Sequence, residues 1–198
     1  MDELSLRYAA SDDLDFVSRI VTEVSEGIVE CLFEGLLPMQ KASDVLRLAF
    51  GRSVAPYVAE NVILAQLGET IAGVLFSYDA GEQQIPALME NFLTAKRIDP
   101  VRDVLTVQPP SCLWVNTLWV DPACRGRGLA QLLLDCAADR ALDLGLERVG
   151  LHAFAENSAA LQLYRKVGFT ELRKAHLGGS VAERHPQGGL ILVRELKV

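Results

Sequence analysis

Apolar and polar positions follow two different periods along this chain, and the change of period divides it. Arg7 and Tyr8 close a short opening strand, after which Ser11-Asp12-Asp13 supplies a helix cap with carboxylates in the first turn, where the helix dipole favours them. Leu14, Val17, Val21, Val24 and Ile28 then recur every three or four residues and predict a helix. Gly27 and Gly35 punctuate it, Ser43-Asp44 offers a second cap, and Val45, Leu48 and Ala49 form a second stripe ending at Gly51. The first fifty residues are therefore expected to be mostly helical.

From Asn61 the period shortens. Val62-Ile63-Leu64-Ala65 and Ile71-Ala72-Gly73-Val74-Leu75-Phe76, separated by the turn Gly68-Glu69, predict a β-hairpin. Residues 81–110 interrupt the pattern with a helical stripe (Ile85, Leu88, Met89, Phe92) and then Asp99-Pro100 and Pro109-Pro110, which predict an inserted helix and an irregular return loop. Strands are predicted over 112–120, 149–154 and 190–196, the last after a glycine-rich loop at 178–189. Between the first two, Leu129, Leu132, Leu133, Cys136, Ala137, Ala141 and Leu144 fall on one face of a helix stopped by Gly145; a second helix over 158–167 meets Gly168. This alternation is an α/β unit, and no repeat, linker or low-complexity tract divides residues 1–198, so a single domain is expected.

Composition narrows the function classes. The 198 residues are 50% hydrophobic and 23% charged, the balance of a compact globular chain. There are 19 basic and 26 acidic residues, and residues 1–34 hold nine acidic groups against Arg7 and Arg19, leaving seventeen of each sign in the remainder. The net charge of -7 thus lies in the first segment and argues against a bulk grip on nucleic-acid phosphates. Cys31, Cys112, Cys124 and Cys136 are widely spaced, without a Cys-x-x-Cys pair or a histidine at ligand spacing, so neither a metal site nor a disulfide framework is expected. Met1-Asp2-Glu3 lacks the basic start and apolar core of a signal peptide, and no apolar run approaches the roughly 20 residues that span a bilayer. A cytoplasmic location with no membrane contact is the expectation.

The chemistry concentrates where the strand 112–120 runs into Asp121-Pro122-Ala123-Cys124-Arg125-Gly126-Arg127-Gly128-Leu129-Ala130. Glycines let consecutive backbone N–H groups converge, the helix start adds partial positive charge, and Arg125 and Arg127 reinforce it, so the turn suits a phosphate. It lacks the Gly-Lys-Ser/Thr of a nucleoside-triphosphate loop and the Gly-x-Gly-x-x-Gly of a dinucleotide site. Its order, Arg125-x-x-Gly128-x-Ala130, resembles the acyl-CoA pyrophosphate loop of the GNAT superfamily of N-acetyltransferases. Asn157, Ala160, Leu163-Tyr164 and Gly168-Phe169 follow at the family's distance, so the joint match covers about 57 residues, 113–169.

The resemblance implies an α/β fold with a mixed, mainly antiparallel sheet flanked by helices and a closing pair of strands; the helical insertion around 81–110, longer than a simple family hairpin connection, resembles none of its motifs. It implies acetyl-CoA as cosubstrate, no metal, and direct transfer of acetyl to a primary amine of a small molecule or peptide in a ternary complex. The other reading is a non-catalytic acyl-CoA-binding sensor or regulatory module. A homodimer is compatible with the family. The pantetheine arm would pair with backbone groups of Leu118 and Val120, and the amides of Arg125, Gly126, Arg127, Gly128, Leu129 and Ala130 would take the pyrophosphate. Asn157 would contact the cofactor arm, and Tyr164 would lie near the sulfur as general acid; the alternative for Tyr164 is packing against Phe169.

These residue types suit the reaction. Attack of an amine on a thioester creates an oxyanion that needs an N–H donor, for which Val120 is the candidate, and a thiolate that needs a proton. A thiolate of pKa about 8.5 lies close enough to a tyrosine of about 10 for protonation through a short hydrogen bond. The base is less evident. Where the family often carries Glu or His on the strand ahead of the loop, this chain has Asn116 and Trp114. Asn116, expected on the face shared with Leu118 and Val120, is no base, but can orient a water or bind the acceptor. A water chain to a carboxylate, or capture of the neutral amine, is then expected. His152 reads as a core or sheet-surface histidine, and His176 and His185 as solvated. Glu30, Glu34 and Asp44 form an acidic group able to draw in a cation, and Trp114 and Trp119 alternate in facing, so one at most is expected in the site.

Overall fold

The computed structural model describes residues 3–82, 93–106 and 109–197. Strand β1 (Leu4–Tyr8) leads through the turn Ser11–Asp13 into helix α1 (Leu14–Val24). The turn is fixed by the Asp13 carboxylate, which accepts the Ala10 amide at 2.8 Å and pairs with Arg7. Helices α2 (Ile28–Phe33) and α3 (Ala42–Gly51) follow, then the hairpin of β2 (Val62–Leu67) and β3 (Thr70–Asp79). After the short helices α4 (Ala95–Ile98) and α5 (Arg102–Thr106) come β4 (Cys112–Val120), α6 (Leu129–Asp143), β5 (Arg148–Phe154), α7 (Ser158–Lys166), β6 (Thr170–Ala175), α8 (Gly179–Arg184) and β7 (Gly189–Glu195).

Among the described residues seven strands form one sheet in the order β1-β2-β3-β4-β5-β7-β6, antiparallel except for the β4–β5 pair. One face carries α1, α2, α3 and the α4–α5 segment over a core that includes Val17, Leu32, Phe33, Phe76 and Trp114. The other face carries α6 and α7 over Leu75, Leu113, Leu133, Leu151 and Phe169. This is the mixed, mainly antiparallel α/β architecture the sequence implied. Among the described residues no helix is long and apolar enough to cross a membrane.

Four local expectations change. The predicted stripe Ile85, Leu88, Met89 and Phe92 lies outside the described residues, but Asp99-Pro100, expected in an irregular loop, sits in a helical turn joining α4 to α5, with the proline at a first-turn position that needs no N–H. The expected loop 178–189 contains α8. Strand β6 escaped the pattern because five of its six residues are exposed at a sheet edge, leaving no apolar alternation to read. On α6 the buried stripe is Leu129, Leu133, Leu134, Ala137, Ala138 and Ala141, while Leu144 is 54% exposed.

Candidate active site

Two irregularities of β4 create the site. Against β3, Phe76 pairs with Thr117 but Ser77 pairs with Val115, so Asn116 is an extra residue, a β-bulge. Against β5, pairing ends at Val115 opposite Leu151, after which the two strands diverge. Asp121 donates its amide to Ala72 O on β3 at 3.0 Å, so the amide of Val120 points to the opposite edge, toward the open fork, and two residues back so does that of Leu118. The amides of Leu118 and Val120 thus face the fork, where an extended amide-bearing chain could pair with them, while the Val120 carbonyl accepts Arg125 Nε at 3.2 Å.

The bulge also overturns two expectations of facing. An extra residue reverses the alternation beyond it, so Trp114 and Trp119 lie on one face, both against the α1-side core and both on the cavity wall. Asn116 does not share a face with Leu118: its Nδ2 donates to Tyr78 Oη at 3.4 Å on the α1 side, whereas Leu118 packs on the α6 side.

A cavity of about 910 Å³ passes through the fork from one face of the sheet to the other. On the α6–α7 face it is bounded by Arg125, Gly126, Gly128, Leu129 and Ala130 and by Asn157, Ala160 and Tyr164; Leu118, Val120 and Asn116 line the fork. Of the residues singled out in the sequence, Arg127 does not reach this lining. The loop is set by Asp121, whose carboxylate accepts the Ala123 amide at 2.8 Å, and by Gly128, which caps α6 at φ +83°, a left-handed conformation costly for other residues. No side chain caps that helix, so its first amides stay available to an anion. Asn157 caps α7 by accepting the Ala160 amide at 3.1 Å. Tyr164 is buried beside Phe169, ring centroids 5.7 Å apart, and burial pushes its hydroxyl up to about 12.

On the α1–α2 face the walls are mainly apolar, with Leu32, Phe33, Leu105, Trp114, Trp119 and Phe154 prominent. Tyr57 lines it too, its hydroxyl also pushed to about 12 by burial, and burial holds Tyr78 well above its ordinary value. The α4–α5 segment is fastened here by Arg97, which donates to the α2 carbonyls of Leu32 (3.1 Å) and Glu34 (2.8 Å). Asp103 adds a tie by accepting the His176 amide at 2.8 Å. The acidic group expected beside the pocket does not converge on it: Glu34 accepts the Ala42 amide, Asp44 accepts the Lys41 amide, and Glu30 faces Ser25. The lining carboxylates among the described residues are instead the exposed Glu23 and Glu26.

Of two histidines that the sequence left aside, His152 lines this wall and His185 stands behind it, against the lining residue Phe154. His185 is not solvated: it is 3% exposed, stacked on Phe154 at 3.5 Å between centroids, with Nδ1 3.1 Å from a Glu156 carboxylate oxygen and Nε2 3.1 Å from the Glu26 carbonyl. It bridges the α1–α2 turn to the turn before α7. His152 lies edge-on to Phe154, its Nε2 sealed from solvent without a hydrogen-bond partner, and desolvation lowers its pKa to about 4. No signal in a single sequence marks either role, since both depend on α8 and β7 returning beside β5.

The model of the acetyltransferase (GNAT) family matches residues 43–169. The chain belongs to that family. An uncharacterized N-acetyltransferase of Bacillus subtilis is 53% identical over 63 residues, which are 32% of this chain and 40% of that protein, so the chain matches well under half of this relative's length. An N-acetyltransferase structure from Staphylococcus aureus Mu50 superposes with TM-score 0.70 at 19% identity, covering 97% of this chain and all of that one. A spermidine N-acetyltransferase of Vibrio cholerae, solved with CoA and spermine, gives TM-score 0.59 at 16% identity, covering 97% and 95%. These structures share the fold.

Proposed function

We propose that the protein transfers an acetyl group from acetyl-CoA to a primary amine by direct attack in a ternary complex. The observation that carries this reading is a cavity that crosses the sheet at the β4–β5 fork, with an anion-ready loop on one side and an apolar chamber on the other. Acetyl-CoA would lay its pyrophosphate on the amides from Arg125 to Ala130 and its pantetheine arm along Leu118 and Val120. The Val120 amide points into the fork and supplies the oxyanion donor. Tyr164 keeps its proton throughout the neutral range because burial raises its pKa, and the same exclusion of water raises the proton affinity of a departing thiolate beside it, so that donation from Tyr164 to the thiolate is retained. Asn116, held by Tyr78, borders the acceptor side of the fork and positions the amine. CoA binding in the V. cholerae relative supports the cosubstrate.

Calorimetry with CoA and an acetyl-CoA thiol-release assay over a panel of amines test the reading. Tyr164→Phe is expected to lower turnover by about 10²-fold or more while leaving CoA affinity intact, since general acid catalysis contributes on that scale. CoA binding without thiol release for any amine would mark a non-catalytic acyl-CoA-binding protein, and turnover of the Phe variant equal to wild type across pH 6 to 9 would remove the acid role.

A further inference from the structure

Pairing between β4 and β5 stops at Val115 opposite Leu151, and the next residue on each strand is Asn116 and His152. These two side chains therefore flank the apex of the fork, and both line the cavity. His152 faces the α1–α2 chamber, edge-on to Phe154. Its Nε2 rests in a recess that only glycine leaves open: a Cβ on Gly189 would lie 2.1 Å from it. That nitrogen is sealed and without a partner, which leaves Nδ1 as the ring nitrogen available to the cavity. The chamber around it is walled by Leu32, Phe33, Leu105, Trp114 and Trp119, and the lining carboxylates Glu23 and Glu26 are exposed.

Resting on the acetyl-transfer reading above, we propose that the acceptor is a primary amine carried on an apolar body, bound uncharged in this chamber, and that His152 takes the proton its nitrogen loses on attack. An apolar chamber disfavours an ammonium and favours the free amine, so the amine sheds its first proton to solvent on binding. Attack forms the C–N bond and makes the nitrogen positive and far more acidic than the parent ammonium, acidic enough for a weakly basic imidazole to accept its proton. The C–S bond then breaks and the thiolate takes the Tyr164 proton. His152 and Tyr164 exchange with solvent, so the net change is amine plus acetyl-CoA to amide plus CoA. Base and acid lie on opposite faces of the sheet with the fork between them, so acceptor and leaving group do not compete for one residue.

The test compares phenethylamine with spermidine as acceptors, for wild type, His152→Gln and Gly189→Ala, with CoA affinity measured in parallel. Expected is a kcat/KM for phenethylamine at least about 10-fold above that for spermidine, the scale on which an apolar pocket discriminates. His152→Gln is expected to lower kcat by about 10² to 10⁴ with CoA affinity unchanged, and Gly189→Ala, which drives the ring from its recess, to lower it in the same direction. In a His152→Ala background, added imidazole should restore part of the lost turnover, which a purely structural role would not permit. Preference for spermidine overturns the apolar acceptor, and His152→Gln turning over phenethylamine as fast as wild type overturns the base. Absence of CoA binding to wild type would instead overturn the acetyl-transfer reading itself.

Discussion

His152 and His185 are alike in sequence and opposite in state. Both ring nitrogens of His185 have a partner at 3.1 Å, the Glu156 carboxylate and the Glu26 carbonyl. His152 has no partner for its sealed nitrogen, and burial, with His185 nearby, keeps it neutral. The folded value of about 4 lies below the ordinary 6.5, so as pH falls through 6.5 the unfolded chain gains a proton that the folded chain refuses. Stability from this group is intact above 6.5 and is lost progressively down to about 4. Denaturant titrations of wild type and His152→Gln should converge by about 2 to 3 kcal/mol across that window. His185→Ala removes a stacked ring and two hydrogen bonds and is expected to cost about 2 kcal/mol in chemical unfolding, with His185→Phe recovering the stacking share alone. The place of Tyr164 on the cavity wall beside Phe169 was legible because a surrounding motif fixes it. The histidines were not, because their environment comes from segments about thirty or more positions away.

At the scale of elements, β4 decides the site. Its apolar run and its length were readable, but the extra residue was not: a bulge is a mismatch between two strands, and one strand's sequence does not contain its partner's register. That one residue brings both tryptophans to one wall and turns Asn116 toward Tyr78. The α4–α5 segment contributes Val104 and Leu105 to the chamber and is held to α2 through Arg97. Arg97→Ala leaves the last carbonyls of α2 without that donor, and is expected to cost about 1 to 2 kcal/mol of stability. Steady-state kinetics should register a raised KM for the amine, with CoA affinity unaltered because the loop and fork lie on other elements.

At the scale of the whole molecule, the cavity draws its walls from both layers, so ligand binding couples elements far apart in the chain. CoA at about 100 times its dissociation constant should raise stability by about 2.7 kcal/mol, read as a shift in thermal unfolding; no shift would mean that the fork does not hold CoA. The sequence by itself determined the succession of helices and strands, the glycine turn at the head of α6 and the motif that identifies the family, because helix period, strand alternation and turn chemistry are properties of neighbours along the chain. Only the tertiary structure decided which face Asn116 and the tryptophans occupy, how far the fork opens, and which histidine is satisfied and which is left bare. Those depend on strand register and on water excluded by distant segments, and no stretch of the chain carries that information alone.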